Sequence, residues 1–173
     1  MENDMKMKIA ALVLVVLLPV LAVTATYATK PAIGTGTVAL VGQPTLVGSS
    51  RPAGDNTIAT FKETFDLTGT LAGTAKALER DVNHTSSHKS FITFQGEANF
   101  TGSANGVSGK LVIRYVGTND GTFIQGQFVI VNGTGGLADF HGQGSFSGTA
   151  GMTLNYTLKW HIDPAAVETK HSA

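Results

Sequence analysis

The sequence predicts an all-β protein: a single antiparallel up-and-down barrel of about eight strands that follows an N-terminal hydrophobic leader helix. Three observations point there. Beyond Asn56 apolar side chains recur at every second residue, the spacing that gathers them on one face of an extended chain. The dipeptides Thr68-Gly69, Asn105-Gly106 and Asp120-Gly121, which tolerate positive φ, fall between those runs, where tight hairpins need them. A long row of one-sided strands left open would expose an apolar face and two edges, so the sheet must close or stack.

The elements follow in order. No residue from Ile9 to Thr29 is charged, Lys6 and Lys8 precede the apolar run from Ile9 to Leu18, and Ala25 and Ala28 are small enough for cleavage. Residues 1–28 therefore read as a signal peptide or, since about 20 apolar residues span a bilayer, as a retained N-terminal membrane anchor. Either places the rest of the chain in a secreted or extracytoplasmic location. Glu2 and Asp4 are out of character in such a leader, and Met5 or Met7 would make a cleaner start. Residues 29–56 carry Pro31, Gly34, Gly36, Gly42, Pro44, Gly48, Pro52 and Gly54, a density of breakers that reads as a linker. Gly34-Thr35-Gly36-Thr37-Val38-Ala39 formally fits a dinucleotide-binding fingerprint, but neither a preceding strand nor a βαβ pattern accompanies it.

The barrel domain is expected over 57–163. In its first strand Phe61, Glu63, Phe65 and Leu67 alternate with Lys62, Thr64 and Asp66. Leu71 to Val82 could be helical by composition, yet its place between hairpin signals makes it a strand. Ile92, Phe94, Ala98 and Phe100 share a face; Leu111, Ile113 and Tyr115 share the next, then Ile124, Phe128 and Ile130. Met152, Leu154, Tyr156, Leu158, Trp160 and Ile162 close the series, and residues 164–173 form a tail.

Composition excludes several functions. Lys and Arg number 12 against 12 Asp and Glu; the leader removes two of each sign, so the exported part stays neutral and lacks the basic stripe that nucleic acid requires. With no cysteine there is no disulfide, thiolate nucleophile or zinc ribbon. Asp81, Asn83, His84 and His88 bring two imidazoles close to a carboxylate, but in a polar loop without a second cluster, so no metal and no cofactor are expected. Gly144-Ser145-Phe146-Ser147-Gly148 lacks the spacing of a serine nucleophile elbow.

The order of glycine-rich segments is distinctive: Thr101 to Gly109, then Gly117-Thr118-Asn119-Asp120-Gly121-Thr122, then Gly133-Thr134-Gly135-Gly136-Leu137-Ala138, then Gly142-Gln143-Gly144-Ser145-Phe146 and Tyr156-Thr157-Leu158. It resembles a bacterial and archaeal family of unknown function whose barrel is related to allene oxide cyclase. The resemblance covers roughly residues 57–163 and implies an allene oxide cyclase-like barrel, with a single helical turn at Leu137-Ala138-Asp139 and association through the outer wall into a homo-oligomer. It transfers no catalytic residue.

Glu63 is the candidate catalytic group, because a carboxyl on the same face as Phe61, Phe65 and Leu67 would be desolvated and its pKa raised toward neutrality. Phe61, Phe65, Phe94, Tyr115, Phe128, Tyr156 and Trp160 are the candidate ligand-lining residues. Asn83, Asn99, Asn132 and Asn155 each begin an Asn-x-Thr glycosylation sequon, with Asn99 and Asn155 on polar strand faces and Asn83 and Asn132 in loops. The leading expectation is an exported barrel that holds a small apolar ligand or acts as a surface interaction module. The alternatives are a cyclase or isomerase using Glu63 as acid/base on an apolar substrate, and a structural surface protein with a filled barrel.

Overall fold

The structure, a computed structural model, describes residues 30–85 and 90–163. The leader, residues 86–89 with His88, and the tail lie outside them. Ten strands follow one another among the described residues: β1 (Ala32–Leu40), β2 (Thr45–Leu46), β3 (Arg51–Ala53), β4 (Asn56–Gly69), β5 (Leu71–Thr85), β6 (Ser90–Ala104), β7 (Val107–Asn119), β8 (Phe123–Gly135), β9 (Phe140–Thr149) and β10 (Leu154–Ile162). From β4 to β10 each strand pairs antiparallel with the next, the meander that the hairpin signals predict. Leu71–Thr85 is a strand, as its context rather than its composition requires.

Closure comes from β1, which pairs antiparallel with both β10 and β4 and so joins the ends of the meander into an eight-stranded ring. Cross-strand partners followed from Ala59 round the ring return to β4 at Gly69, further along the same strand. The strands are therefore staggered and tilted, as closure of so small a barrel requires.

This corrects the expected linker. Residues 32–40 are a wall of the barrel, and Thr45–Leu46 and Arg51–Ala53 pair with Lys62–Phe61 and Ile58–Asn56 along the rest of the β4 edge. Glycine and proline density argues for a linker only where no partner supplies the backbone bonds. Here β10 and β4 supply them, and Gly36 is needed because a Cβ there would collide with the Thr68 carbonyl and the Tyr156 ring. The apparent dinucleotide fingerprint is part of this strand.

Turn chemistry matches the expectation. Asn105 and Gly106 have φ of 49° and 83°, the two left-handed residues of a type I′ hairpin. The Asp120 carboxylate accepts bonds from the Thr122 and Phe123 amides at 3.0 and 2.8 Å, closing the next turn. Between β8 and β9, Ala138 N donates to Gly135 O and Phe140 N to Leu137 O, a tight turn that tucks Leu137 into the barrel. The alternation of the last strand overreaches: Met152 lies before β10 and is 68% exposed.

The interior is divided. At one end Leu71, Phe100, Ala104, Leu111, Leu137, Phe140, Tyr156 and Leu158 form a closed apolar plug. Toward the other end the inward-facing Phe61, Phe65, Phe94, Tyr115, Phe128 and Phe146 are only partly buried.

Candidate functional site

Parity places Glu63 inward. It pairs with Ala77, and Leu71, Ala75, Ala77 and Glu79 are the buried residues of β5. Glu79 and Asp81 follow on that face, because residues two apart on a strand point the same way. Across β6, Glu79 pairs with Gly96, Gly96 with Tyr115 of β7, and Tyr115 with Phe128 of β8. One level of the barrel thus brings together Glu79, Tyr115 and Phe128, with Glu63 and Asp81 beside Glu79 on neighbouring levels. Gly96 makes room for this: a Cβ there would collide with the Tyr115 hydroxyl.

Three carboxyls share this half of the barrel. Burial, with the charge of Asp81 adding to it, pushes Glu63 up to about 7. Burial, then the charges of Glu63 and Asp81, pushes Glu79 up to about 8. Asp81 is raised by burial, and Tyr115 is raised by burial and by Glu79. Among the described residues no lysine or arginine points inward to answer them. Lys62, Lys76, Arg80, Lys110, Arg114 and Lys159 are all exposed on outward positions, and Arg114 bonds Glu97 on the outer wall at 2.9 Å. The Tyr115 hydroxyl and Asp81 Oδ1 are buried beside the Glu79 carboxyl, which interacts with both, but neither atom makes a hydrogen bond of ordinary length, an expensive condition for polar atoms in a folded interior.

The rings form a connected lining. Tyr115 meets Phe65 edge-on at 6.4 Å and Phe94 at 6.3 Å, and Phe94 stacks near Phe146 at 6.2 Å. Phe128 bridges toward the plug, meeting Tyr156 edge-on at 6.1 Å.

Two of the expected lining residues serve the plug instead. The Tyr156 hydroxyl accepts from Leu71 N at 2.8 Å and donates to Thr68 O at 3.0 Å, tying β10 to the β4–β5 turn. Trp160 stacks on Phe140 at 5.1 Å. Sequence reasoning missed Glu79 and Asp81. Their alternation with Ala75 and Ala77 was the available signal, hidden because alanine marks a buried face weakly.

The sequons are distributed differently from expectation. Asn99 and Asn155 are exposed on outward positions. Asn83 and Asn132, expected in loops, lie within β5 and β8; Asn83 is half-buried and accepts a bond from Ser90, while Asn132 bonds the Gly133 amide at the β7–β8 irregularity. The hairpins are longer than the alternation alone suggests.

His84 stacks on Phe91 and meets Thr93 Oγ1 at 3.0 Å. His141 and His161, distant in sequence, are cross-strand partners whose rings lie 5.5 Å apart and share Asp163 at 3.3 Å each. Among the described residues no group of three or more such side chains is placed to hold a metal ion. An open concavity of about 970 Å³ is lined by Glu79, Gly96, Tyr115 and Phe128, which share one level of the barrel, together with outward neighbours such as Arg80 and Val116.

Fold and site define a closed eight-stranded antiparallel barrel with one packed end and one acidic, aromatic, half-open end. The chain belongs to the family described as protein of unknown function DUF3224, which it matches over residues 33–160. The match begins inside β1, in keeping with that strand's place in the barrel. A solved structure of a DUF3224 protein of unknown function from Shewanella oneidensis MR-1 is similar in fold, with a TM-score of 0.66 at 16% identity, covering 79% of this chain and 100% of that one. No curated protein matches the sequence.

Proposed function

We propose that the protein binds one small molecule with an apolar body in the half-open end of its barrel. The observation that carries this reading is the contrast within the interior: the rings of Phe61, Phe65, Phe94, Tyr115, Phe128 and Phe146 keep solvent access while the plug excludes it. Eight-stranded barrels either fill with side chains or keep room for one small ligand. Apolar walls with a few convergent polar groups are what such sites present. Closure by eight strands is also the ground for reading the barrel as akin to that of allene oxide cyclase. The leader sequence supports export, and exposed Asn99 and Asn155 are the sequons best placed for glycosylation.

Titration with the neutral fluorescent probe N-phenyl-1-naphthylamine tests the binding reading, together with native mass spectrometry for a co-purifying molecule. One saturable probe site per chain is expected, lost when Ala59, inward near the open end, becomes Trp. Absence of saturable binding by the folded protein overturns it.

A second reading rests on Glu63, whose carboxyl near 7 is poised to exchange a proton at neutral pH. In it the barrel is a cyclase or isomerase. Once a turned-over substrate is in hand, Glu63→Gln should abolish turnover while retaining binding; unchanged turnover defeats this reading.

A further inference from the structure

We infer that the molecule held in the half-open end is an organic ammonium, a protonated or quaternary amine on a compact apolar body. This rests on the binding reading above and adds the ligand's charge. Three features independent of one another carry it.

The first is that, among the described residues, no counter-ion faces the acids. Glu63 from β4 and Glu79 and Asp81 from β5 point inward, while every lysine and arginine of the neighbouring strands is exposed on an outward position. The remaining groups facing them are Tyr115 from β7, Gly96 and Phe94 from β6 and Phe128 from β8, none of them cationic. Buried carboxylates are ordinarily paired.

The second is the hydrogen-bond inventory. Once ionised, above their raised pKa values, the carboxyls only accept, and Tyr115 has a single hydrogen, which faces Glu79. Asp81 Oδ1 and the Tyr115 hydroxyl are buried against the Glu79 carboxyl without a hydrogen bond of ordinary length, so the ionised site is short of donors. An ammonium group brings up to three.

The third is the ring set. Phe65, Phe94, Tyr115 and Phe146 stand edge-on, tilted or offset around the same space, and aromatic faces attract an organic cation most strongly where water is excluded. A neutral apolar ligand would use the rings and leave the acids unanswered; a metal ion would use the acids and leave the rings unanswered.

The cation competes with protons for the carboxyls. Burial holds Glu63 and Glu79 protonated toward neutral pH, so ammonium binding should strengthen as pH rises and weaken as it falls.

The test compares phenethylammonium with its neutral near-isostere 2-phenylethanol by isothermal titration calorimetry. At pH 8 the amine should bind at least about tenfold tighter. Its affinity should fall about tenfold on going to pH 5.5 while that of the alcohol holds, and the double variant Glu79→Gln/Asp81→Asn should erase the amine's advantage. If that variant fails to fold, Glu63→Gln and the pH series on the unmodified protein decide. Equal binding, or tighter binding of the alcohol, overturns the ammonium inference and leaves the binding reading standing. If neither compound binds and the neutral probe also fails, both fall.

Discussion

Tyr156 and Glu63 both stand on inward faces, one at each end of the barrel, and the sequence treats them alike as side chains with an apolar setting and a polar tip. Their partners separate them. Tyr156 spends its hydroxyl on the Leu71 amide and the Thr68 carbonyl. Replacing it with Phe leaves the buried Leu71 amide unpaired, a loss of about 1–3 kcal/mol; urea denaturation should show it, and an unchanged midpoint would mean that the bond is dispensable. Glu63 has no such tie. Gly96 belongs to this scale too: Gly96→Val would force the Tyr115 ring from its place, and loss of N-phenyl-1-naphthylamine binding with a cooperative unfolding transition retained would locate the ligand beside that ring.

At the scale of elements, β1 decides the architecture. A chain beginning at residue 42 would keep the meander but leave the β10 edge and part of the β4 edge unpaired, and such edges invite association. Loss of the cooperative thermal transition, with aggregates on size-exclusion chromatography, is expected; a monomeric, cooperatively folded product would show that closure is unnecessary. The β8–β9 turn makes a second contribution through Leu137, which is fully buried. Leu137→Ala should cost about 2–5 kcal/mol by opening a cavity in the plug, measurable by denaturation, with probe binding at the far end preserved. β4, β6, β7, β8 and β10 were legible because their apolar residues alternate, and the β4–β5, β6–β7 and β7–β8 turns carry local signatures; β5 was legible only from its place between such turns. β1 was not, since its pairing with β10 joins residues such as Gly36 and Tyr156 from opposite ends of the domain, and nothing local in a Gly-Thr repeat announces a partner so far away.

At the scale of the whole molecule, the buried carboxyls make stability depend on pH. Glu63 and Glu79 titrate near 7 and 8 when folded, against an ordinary 4.5, so between those values the folded protein holds more protons than the unfolded chain. Stability is therefore full below about pH 4.5 and declines as pH rises through 7 and 8. A difference on the order of 2 kcal/mol between pH 5 and pH 8 is expected once solvent screening of these partly accessible groups is allowed for. Glu79→Gln should flatten the profile and raise stability at pH 8. Urea titrations across that range measure it, and stability that increases with pH would contradict the burial of these groups.

The all-β class, three of the hairpins and the inward face of the strands with large apolar residues are written in the sequence, because a two-residue period and a positive-φ turn are local properties of neighbouring residues. The sequence also marks Glu63 as a carboxyl among rings. That residues 32–40 are wall rather than linker, that Tyr156 ties the plug, and that Glu79 and Asp81 join Glu63 follow from tertiary pairing alone. Those facts depend on stagger around a closed ring, and the stagger is set by backbone pairing between segments whose sequences carry no mark of one another.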